Sequence, residues 1–243
     1  MIDVDDAGRR LRAAQLVAAH GPNVDALCHA CLERMPSLRG AGVTVMTADT
    51  QQVRYATDAV SARVEQLQFL LGEGPCRDAY GSASPVLADD LRATGWQRRW
   101  PAFAPAAVLA GAHAVFAIPL LVGTSGLGVL DLYRDSAGEM AGQEVADALV
   151  FADAVTDLLL AETAAHVDDE DTPDGVIGGA SLQRATVHQA TGMVSVQLGV
   201  PVEDALVGLR AHAFAVGRDL DEVAADVIAR RLRFDDPEDD GNR

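Results

Sequence analysis

The sequence predicts an α+β domain followed by a small all-α module, and three observations predict it. In the first part of the chain, segments with apolar residues at helical spacing alternate with extended runs. An acidic strip containing glycine and proline, HVDDEDTPDGVIGG, then interrupts the pattern. Three short segments with helical spacing follow it. We therefore divide the chain into a domain at 10–163, a linker at 164–180, a three-helix module at 181–234 and an acidic tail at 235–243.

The elements of the first domain are predicted from periodicity and turn residues. In chain order we expect two helices, two extended segments, a helix, a forced turn, an extended stretch, a hairpin and a long helix: Ala7–Ala19, Val24–Met35, Val43–Thr47, Val53–Ala56, Ala59–Leu71, Gly72–Pro75, Pro85–Ala88, Ala114–Val122 with Gly126–Tyr133, and Gln143–Ala165. The long helix has a broad apolar stripe that includes Val145, Leu149 and Leu159. We expect this helix to cover two neighbours, one of them a dimer partner.

Composition restricts the class of protein. With 243 residues and 49% hydrophobic content the chain can bury a core, which excludes disorder throughout. The sequence contains no apolar run long enough to span a membrane and opens with acidic residues, so we expect a cytoplasmic protein with no membrane partner. Three cysteines cannot form a disulfide framework and fit a reducing compartment.

The negative charge is unevenly distributed. The net charge is −17, yet residues 181–234 contain six basic and six acidic side chains and lie between two acidic strips. All 19 basic residues are arginine, whose guanidinium group binds phosphate and stacks on bases. Genomic composition could produce the same preference.

One long stretch of the first domain carries a family resemblance. The runs LQFLLGEGPCRDAYGSASPVLADDLR and WPAFAPAAVLAGAHAVFAIPLLVGTSGLGVLDLYRD resemble the GAF domain of actinobacterial regulators, and the resemblance covers roughly residues 10–163. It implies an antiparallel sheet flanked by helices that holds a small-molecule pocket. The candidate pocket residues are Cys76, Trp100, Phe103 and His113. The ligand cannot be named, and we expect no metal.

The cysteines suggest an alternative function. Cys76 follows a glycine-rich turn and opens a helical stretch, where a thiol pKa can fall. Some GAF proteins reduce free methionine sulfoxide, so a thiol-based redox sensor or a reductase of that kind is one alternative. Cys28 and Cys31 belong to a different helix and the spacing does not match that group. We interpret them as buried hydrophobes and expect no enzyme.

The C-terminal module is predicted to contain three helices. The first runs from Ser181 to Leu198, the second from Pro201 to Gly217, and the third starts after Asp219. On a helical wheel Arg184, His188, Thr191 and Ser195 share one polar face. Arg210 and Phe214 stand one turn apart on the second helix. This pairing suits looped RNA, since arginine binds phosphate and the ring can stack on an unpaired base. An aromatic residue in so small a domain is usually part of the core, which is the alternative for Phe214.

The segment HQATGMVSVQLGVPVEDALVGLRAHAFAVGRDLDEVAADVI resembles the ANTAR domain, a three-helix module of bacterial antiterminators. The resemblance implies binding to paired RNA hairpins, and therefore a homodimer, with regulation by a small-molecule effector. A protein- or DNA-docking module is a second alternative. The candidate RNA-binding residues are Arg184, His188, Thr191, Arg210, Phe214 and Arg218. Thr191 stands where the family usually has lysine, so one phosphate contact is missing.

Overall fold

The computed structural model describes residues 4–46, 51–167, 180–218 and 220–234. The chain divides into two compact units, Met1–Thr172 and Pro173–Arg243. Most of the predicted linker and all of the acidic tail at 235–243 lie outside the described residues. In the part of the chain that is described, no helix combines the length and the apolar character that a membrane crossing requires.

The first unit is built from helices and strands that follow the predicted order. Three short helices lie between its third helix and the hairpin. Its elements are α1 (Val4–His20), α2 (Val24–Arg34), β1 (Gly40–Met46), β2 (Gln51–Ala56), α3 (Ala59–Leu71), α4 (Pro75–Ser82), β3 (Val86–Ala88), α5 (Thr94–Arg99), α6 (Phe103–Ala110), β4 (Ala114–Val122), β5 (Ser125–Arg134) and α7 (Gly142–Val167).

The five strands form one antiparallel sheet in the order β2-β1-β5-β4-β3. The predicted hairpin is confirmed as β4 and β5, with Val122 paired to Ser125 across a two-residue connection. Gly123 adopts a positive φ of 63° there, which suits a tight hairpin turn. Helices cover both faces of the sheet, so the predicted α+β class is confirmed for this unit.

One sheet face packs against α2 and α7, and α1 packs against these two helices. The apolar stripe of α7 is used up inside the chain, because Ala148, Phe151, Val155 and Leu159 are all buried in this core. The broad stripe has its neighbours within the same chain, namely the sheet and the helices α1 and α2. The stripe is therefore not an exposed dimer seam, because these elements of the same chain already cover it.

The other sheet face packs against α3 and α4, and α6 packs against α3. Asp58 caps α3 by accepting a hydrogen bond from the Ser61 amide, and Gly72 ends the helix at a φ of 69°. Pro75 then occupies the first turn of α4, where its missing amide hydrogen is not needed. The glycine-rich turn therefore places Cys76 under the centre of the sheet.

The second unit contains three helices in its described residues, α8 (Ala180–Leu198), α9 (Val202–Val216) and α10 (Leu220–Ile228), which all contact one another. Its core is aliphatic and consists of Val187, Ala190, Val194, Ala205, Leu209, Ala213, Leu220, Val223, Ala224 and Val227. Gly199 and Gly217 adopt positive φ values of 65° after α8 and α9, at the predicted helix ends.

Candidate functional site

A buried polar cluster lies on the sheet face covered by α3 and α4. It contains Thr44 on β1, Glu65 and Gln68 on α3, Cys76 on α4 and Asp131 on β5. Each of these residues is at most 3% exposed. Polar groups are rarely buried without a reason, so this cluster is the strongest candidate for a functional site in the first unit.

Gln68 connects the cluster. Its side-chain amide donates to Asp131 Oδ2 at 2.9 Å, and its Oε1 accepts a hydrogen bond from the Cys76 amide at 2.7 Å. The Thr44 hydroxyl donates to Glu65 Oε2 at 2.7 Å. Each carboxyl group is thus oriented through one of its two oxygens.

Two glycines make room for these side chains. A Cβ atom at Gly42 would overlap the carboxyl group of Glu65, and one at Gly74 would come within 2.8 Å of Gln68 Oε1. Gly74 also has a φ of 133°, which L side chains rarely adopt. The close approach of the backbone explains why these two positions are glycine.

Burial and mutual repulsion govern the ionisation of the cluster. Burial, followed by the charge of Asp131, raises the pKa of Glu65 well above its usual range. Burial raises the pKa of Asp131 to about 6, although hydrogen bonds from neighbouring groups oppose that shift. One proton between the two carboxyl groups is therefore favoured near neutral pH.

The prediction of a lowered thiol pKa at Cys76 is wrong. Its side chain is 0% exposed, and burial, followed by the charges of Asp131 and Glu65, raises the pKa of the thiol well above 9.0. The position at a helix start does not compensate for the loss of solvent. Cys28 and Cys31 are buried against the opposite face of the sheet, and burial raises the pKa of Cys28 to about 12. No second thiol adjoins Cys76 among the described residues.

The other candidate pocket residues are divided between core and strand edge. Trp100 and Phe103 are buried in an apolar cluster beside the polar one and pack edge to face. His113 is half-buried just before β4, where its backbone pairs with Leu91 and Arg134. Trp100 and Phe103, two of the candidate pocket residues, therefore lie in the core with at most 1% of each residue exposed.

The polar face predicted for the first helix of the second unit is only partly present. His188 is exposed. Thr191 is 2% exposed and its hydroxyl donates to the Val187 carbonyl at 2.7 Å, so it faces the helical core. The helical wheel failed here because Thr191 follows Val187 by four residues and lies on the buried stripe. The side chain of Arg184 lies outside the described residues.

On α9, the second helix of this unit, Phe214 faces outward and 55% of the residue is exposed. Val207 lies on the same side of the helix and is 61% exposed. Arg210 is half-buried and its Nε atom is shielded from solvent. Arg218 forms ion pairs with Asp226 at 2.8 Å and Glu222 at 3.4 Å. Arg218, a candidate RNA-binding residue, is therefore already engaged by two carboxylates.

Sequence reasoning missed two other arginines. Arg230 and Arg233 border a groove of about 580 Å³ on the second unit, together with Gln189, Gly192, Met193, Val196 and Gln197. Neither arginine forms an ion pair with a carboxylate in the described part of the chain. Arg231, between them, is paired with Asp226. The signal in the sequence was the ARRLR run, which follows the end of the third helix at Ile228.

Comparison with known proteins gave structural similarities only. No protein-family model matches the sequence, and no curated protein is similar to it. The chain is similar to a domain described as a two-component sensor histidine kinase from Sinorhizobium meliloti 1021 (18% identity, 60% of this chain and 94% of that chain, TM-score 0.48).

Two further solved structures are of different kinds. One is the GAF domain of the Acinetobacter phosphoenolpyruvate-protein phosphotransferase (8% identity, 69% of this chain and 99% of that chain, TM-score 0.46). The other is the type II free methionine-R-sulfoxide reductase from Thermoplasma acidophilum (15% identity, 62% of this chain and 94% of that chain, TM-score 0.39).

Proposed function

We propose that the protein is a signal-responsive regulator that binds paired RNA hairpins and acts as a transcription antiterminator. In this proposal the first unit is a GAF-type sensor and the second is an ANTAR-type RNA-binding module. The protein acts in the cytoplasm, needs no covalent chemistry and is not an enzyme. The sequence resemblances of both units support this division of roles.

The observation that carries the proposal is the exposure of Phe214. The core of the second unit is complete without an aromatic residue, since aliphatic side chains fill the contacts among its three helices. An aromatic ring left 55% exposed on α9 can stack on an unpaired base, which is the main way in which proteins hold looped RNA. Packing, the alternative considered for this residue, does not account for its outward position.

Arg230 and Arg233 support the proposal as phosphate ligands. Their guanidinium groups are available, whereas that of Arg218 is engaged by two carboxylates. Arginine pairs with phosphate through a planar fork of donors, and such contacts supply most of the affinity for nucleic acid. We therefore place the cationic contacts at the end of α10 in addition to α9.

A target with two hairpins requires two modules, so we propose a homodimer. The apolar stripe of α7 is covered by α1, α2 and the sheet and does not provide the interface. The proposal does not depend on whether the dimer is permanent or forms on RNA.

A gel-shift experiment tests the proposal. The full chain is titrated with a two-hairpin transcript at several salt concentrations, and phosphate contacts must weaken as salt rises. We expect about tenfold weaker binding for Phe214→Ala and for the double variant Arg230→Ala with Arg233→Ala. Arg98→Ala, an exposed arginine of the first unit, is the matched control and should bind like the wild type.

Two results would contradict the proposal. The first is the absence of any shift at low salt with correctly folded wild-type protein. The second is equal competition by duplex DNA, which would favour the DNA-docking alternative, since A-form RNA and unpaired loops are recognised through features that duplex DNA lacks.

A further inference from the structure

Three groups that bind metal ions surround one point in the buried polar cluster. The Cys76 thiol and one carboxylate oxygen each from Glu65 and Asp131 lie within 4.8 Å of one another. Bond lengths of about 2.0–2.3 Å separate the ligands of a tetrahedral ion by roughly 3.5 Å, so a small inward movement suffices. The three residues come from α4, α3 and β5, so the fold, and not a local turn, brings them together.

The hydrogen bonds in the cluster occupy only one oxygen of each carboxyl group, which leaves the other oxygen available to bind a metal ion. Thr44 occupies Glu65 Oε2 and Gln68 occupies Asp131 Oδ2. The other oxygens, Glu65 Oε1 and Asp131 Oδ1, are buried, and no amide or alcohol group among the described residues donates to them. Metal sites use this arrangement: one carboxylate oxygen binds the ion, and a neighbouring donor orients the other.

Gln68 positions two of the three residues, Cys76 and Asp131. It holds the Cys76 amide at 2.7 Å and the Asp131 carboxylate at 2.9 Å, so a single side chain fixes the positions of two ligands. The Met46 thioether, a second soft ligand type, lies 3.9 Å from the Cys76 sulfur. A divalent cation would offset the charge that the two carboxylates and the thiolate carry when they bind it.

We propose that Glu65, Cys76 and Asp131 form a binding site for a divalent transition-metal ion of the zinc type. A sulfur ligand combined with two carboxylates suits such an ion and does not suit Mg²⁺ or Ca²⁺, which prefer oxygen alone. No metal was expected from the sequence, because the three residues are far apart along the chain. The site belongs to the first unit and stands whether or not the second unit binds RNA.

Cobalt(II) is the probe for the experiment. The full chain is treated with a chelator, reduced and titrated with Co²⁺, while the near-ultraviolet charge-transfer absorption of a cobalt–thiolate bond is recorded. We expect saturation at one equivalent and displacement of the band by Zn²⁺. Cys76→Ala should abolish the band. Cys28→Ala, on the opposite face of the sheet, should keep it.

Thermal unfolding shows whether each variant is still folded. Glu65→Gln retains an acceptor for Thr44 and removes one buried carboxyl group, so it should fold and bind Co²⁺ at least tenfold more weakly. Zn²⁺ should raise the melting temperature of the wild type and not that of this variant. The proposal is overturned if the folded wild type shows no thiolate band, or if Cys76→Ala titrates like the wild type. A proton shared by Glu65 and Asp131 would then account for the cluster.

Discussion

The carboxylate of Glu73 caps the helix that begins at Phe103. Glu73 Oε1 accepts hydrogen bonds from the Phe103 amide at 2.7 Å and from the Ala102 amide at 2.6 Å. A negative side chain at this position satisfies two amides that have no partner inside the helix and interacts favourably with the helix dipole. The glycine-rich turn that precedes Cys76 therefore also anchors α6, which lies thirty residues later.

Replacing Glu73 with alanine should destabilise the first unit. Loss of a helix cap typically costs about 0.5–2 kcal/mol, and the charge places this case at the upper end. Urea unfolding followed by circular dichroism measures the change. Glu33→Ala, an exposed glutamate on α2, is the control and should alter the free energy of unfolding by less than about 0.5 kcal/mol. Equal stability of the two variants would contradict the capping role.

The ion pair between Arg134 and Glu144 should make stability depend on pH. Glu144 Oε2 lies 2.8 Å from Arg134, whose side chain is only 9% exposed. Hydrogen bonding from Ser37, followed by that from the Ala141 amide and by the charge of Arg134, lowers the pKa of Glu144 below 4.5. A carboxyl group with a lowered pKa stabilises the fold above its unfolded pKa, and that stabilisation is lost as the pH falls through its folded pKa.

Glu144→Gln should therefore be less stable than the wild type by about 1–3 kcal/mol at neutral pH. The difference should shrink as the pH is lowered from about 5, because the wild-type carboxyl group becomes neutral as well. Urea unfolding of both proteins over a pH series provides the measurement, with Glu139→Gln as an exposed control. A difference that stays constant down to the acid limit would exclude this pairing as its source.

Much of the first unit follows from local sequence pattern, whereas its polar cluster does not. The β4–β5 hairpin was predictable because continuous apolar runs flank a short turn at Gly123. Asp131 is the exception inside one of those runs, and a carboxylate in a buried strand is a signal that could have been noticed. Its partner Glu65 gave no such signal, since a glutamate on a helix is ordinarily solvated.

In the second unit, the helix ends were easier to predict than the buried faces of the helices. Its helix ends were predictable because Gly199 and Gly217 end helices in the left-handed conformation. The helical wheel of α8 did not show which of its faces is buried, because this helix packs against both α9 and α10. Thr191, which was expected on the polar face, faces the core, whereas Phe214, for which packing in the core was left open, faces outward.

The three thiols should be unreactive in the folded, metal-free protein. Cys28, Cys31 and Cys76 are each at most 1% exposed, so a reagent reaches them only through opening of the fold. We expect labelling at least about a hundredfold slower than that of free cysteine near pH 8, and reaction of all three in denaturant. Mass spectrometry counts the modified sites. Fast labelling that disappears in Cys76→Ala would contradict this prediction and would support the alternative of a thiol-based redox sensor or reductase.

Thr191 provides the sharpest test of which face of the second unit contacts RNA. Thr191→Val keeps the shape of the side chain and removes only the hydroxyl that bonds to the Val187 carbonyl. Because the residue is 2% exposed, we expect RNA affinity within about twofold of the wild type and a loss of stability near 1 kcal/mol. Phe214→Ala should show the opposite pattern, with weaker RNA binding and an almost unchanged melting temperature, since its ring adds little to the core. If Thr191→Val weakens RNA binding as strongly as Phe214→Ala while the protein stays folded, α8 must present its buried stripe to RNA, and the surface assigned to Phe214, Arg230 and Arg233 is wrong.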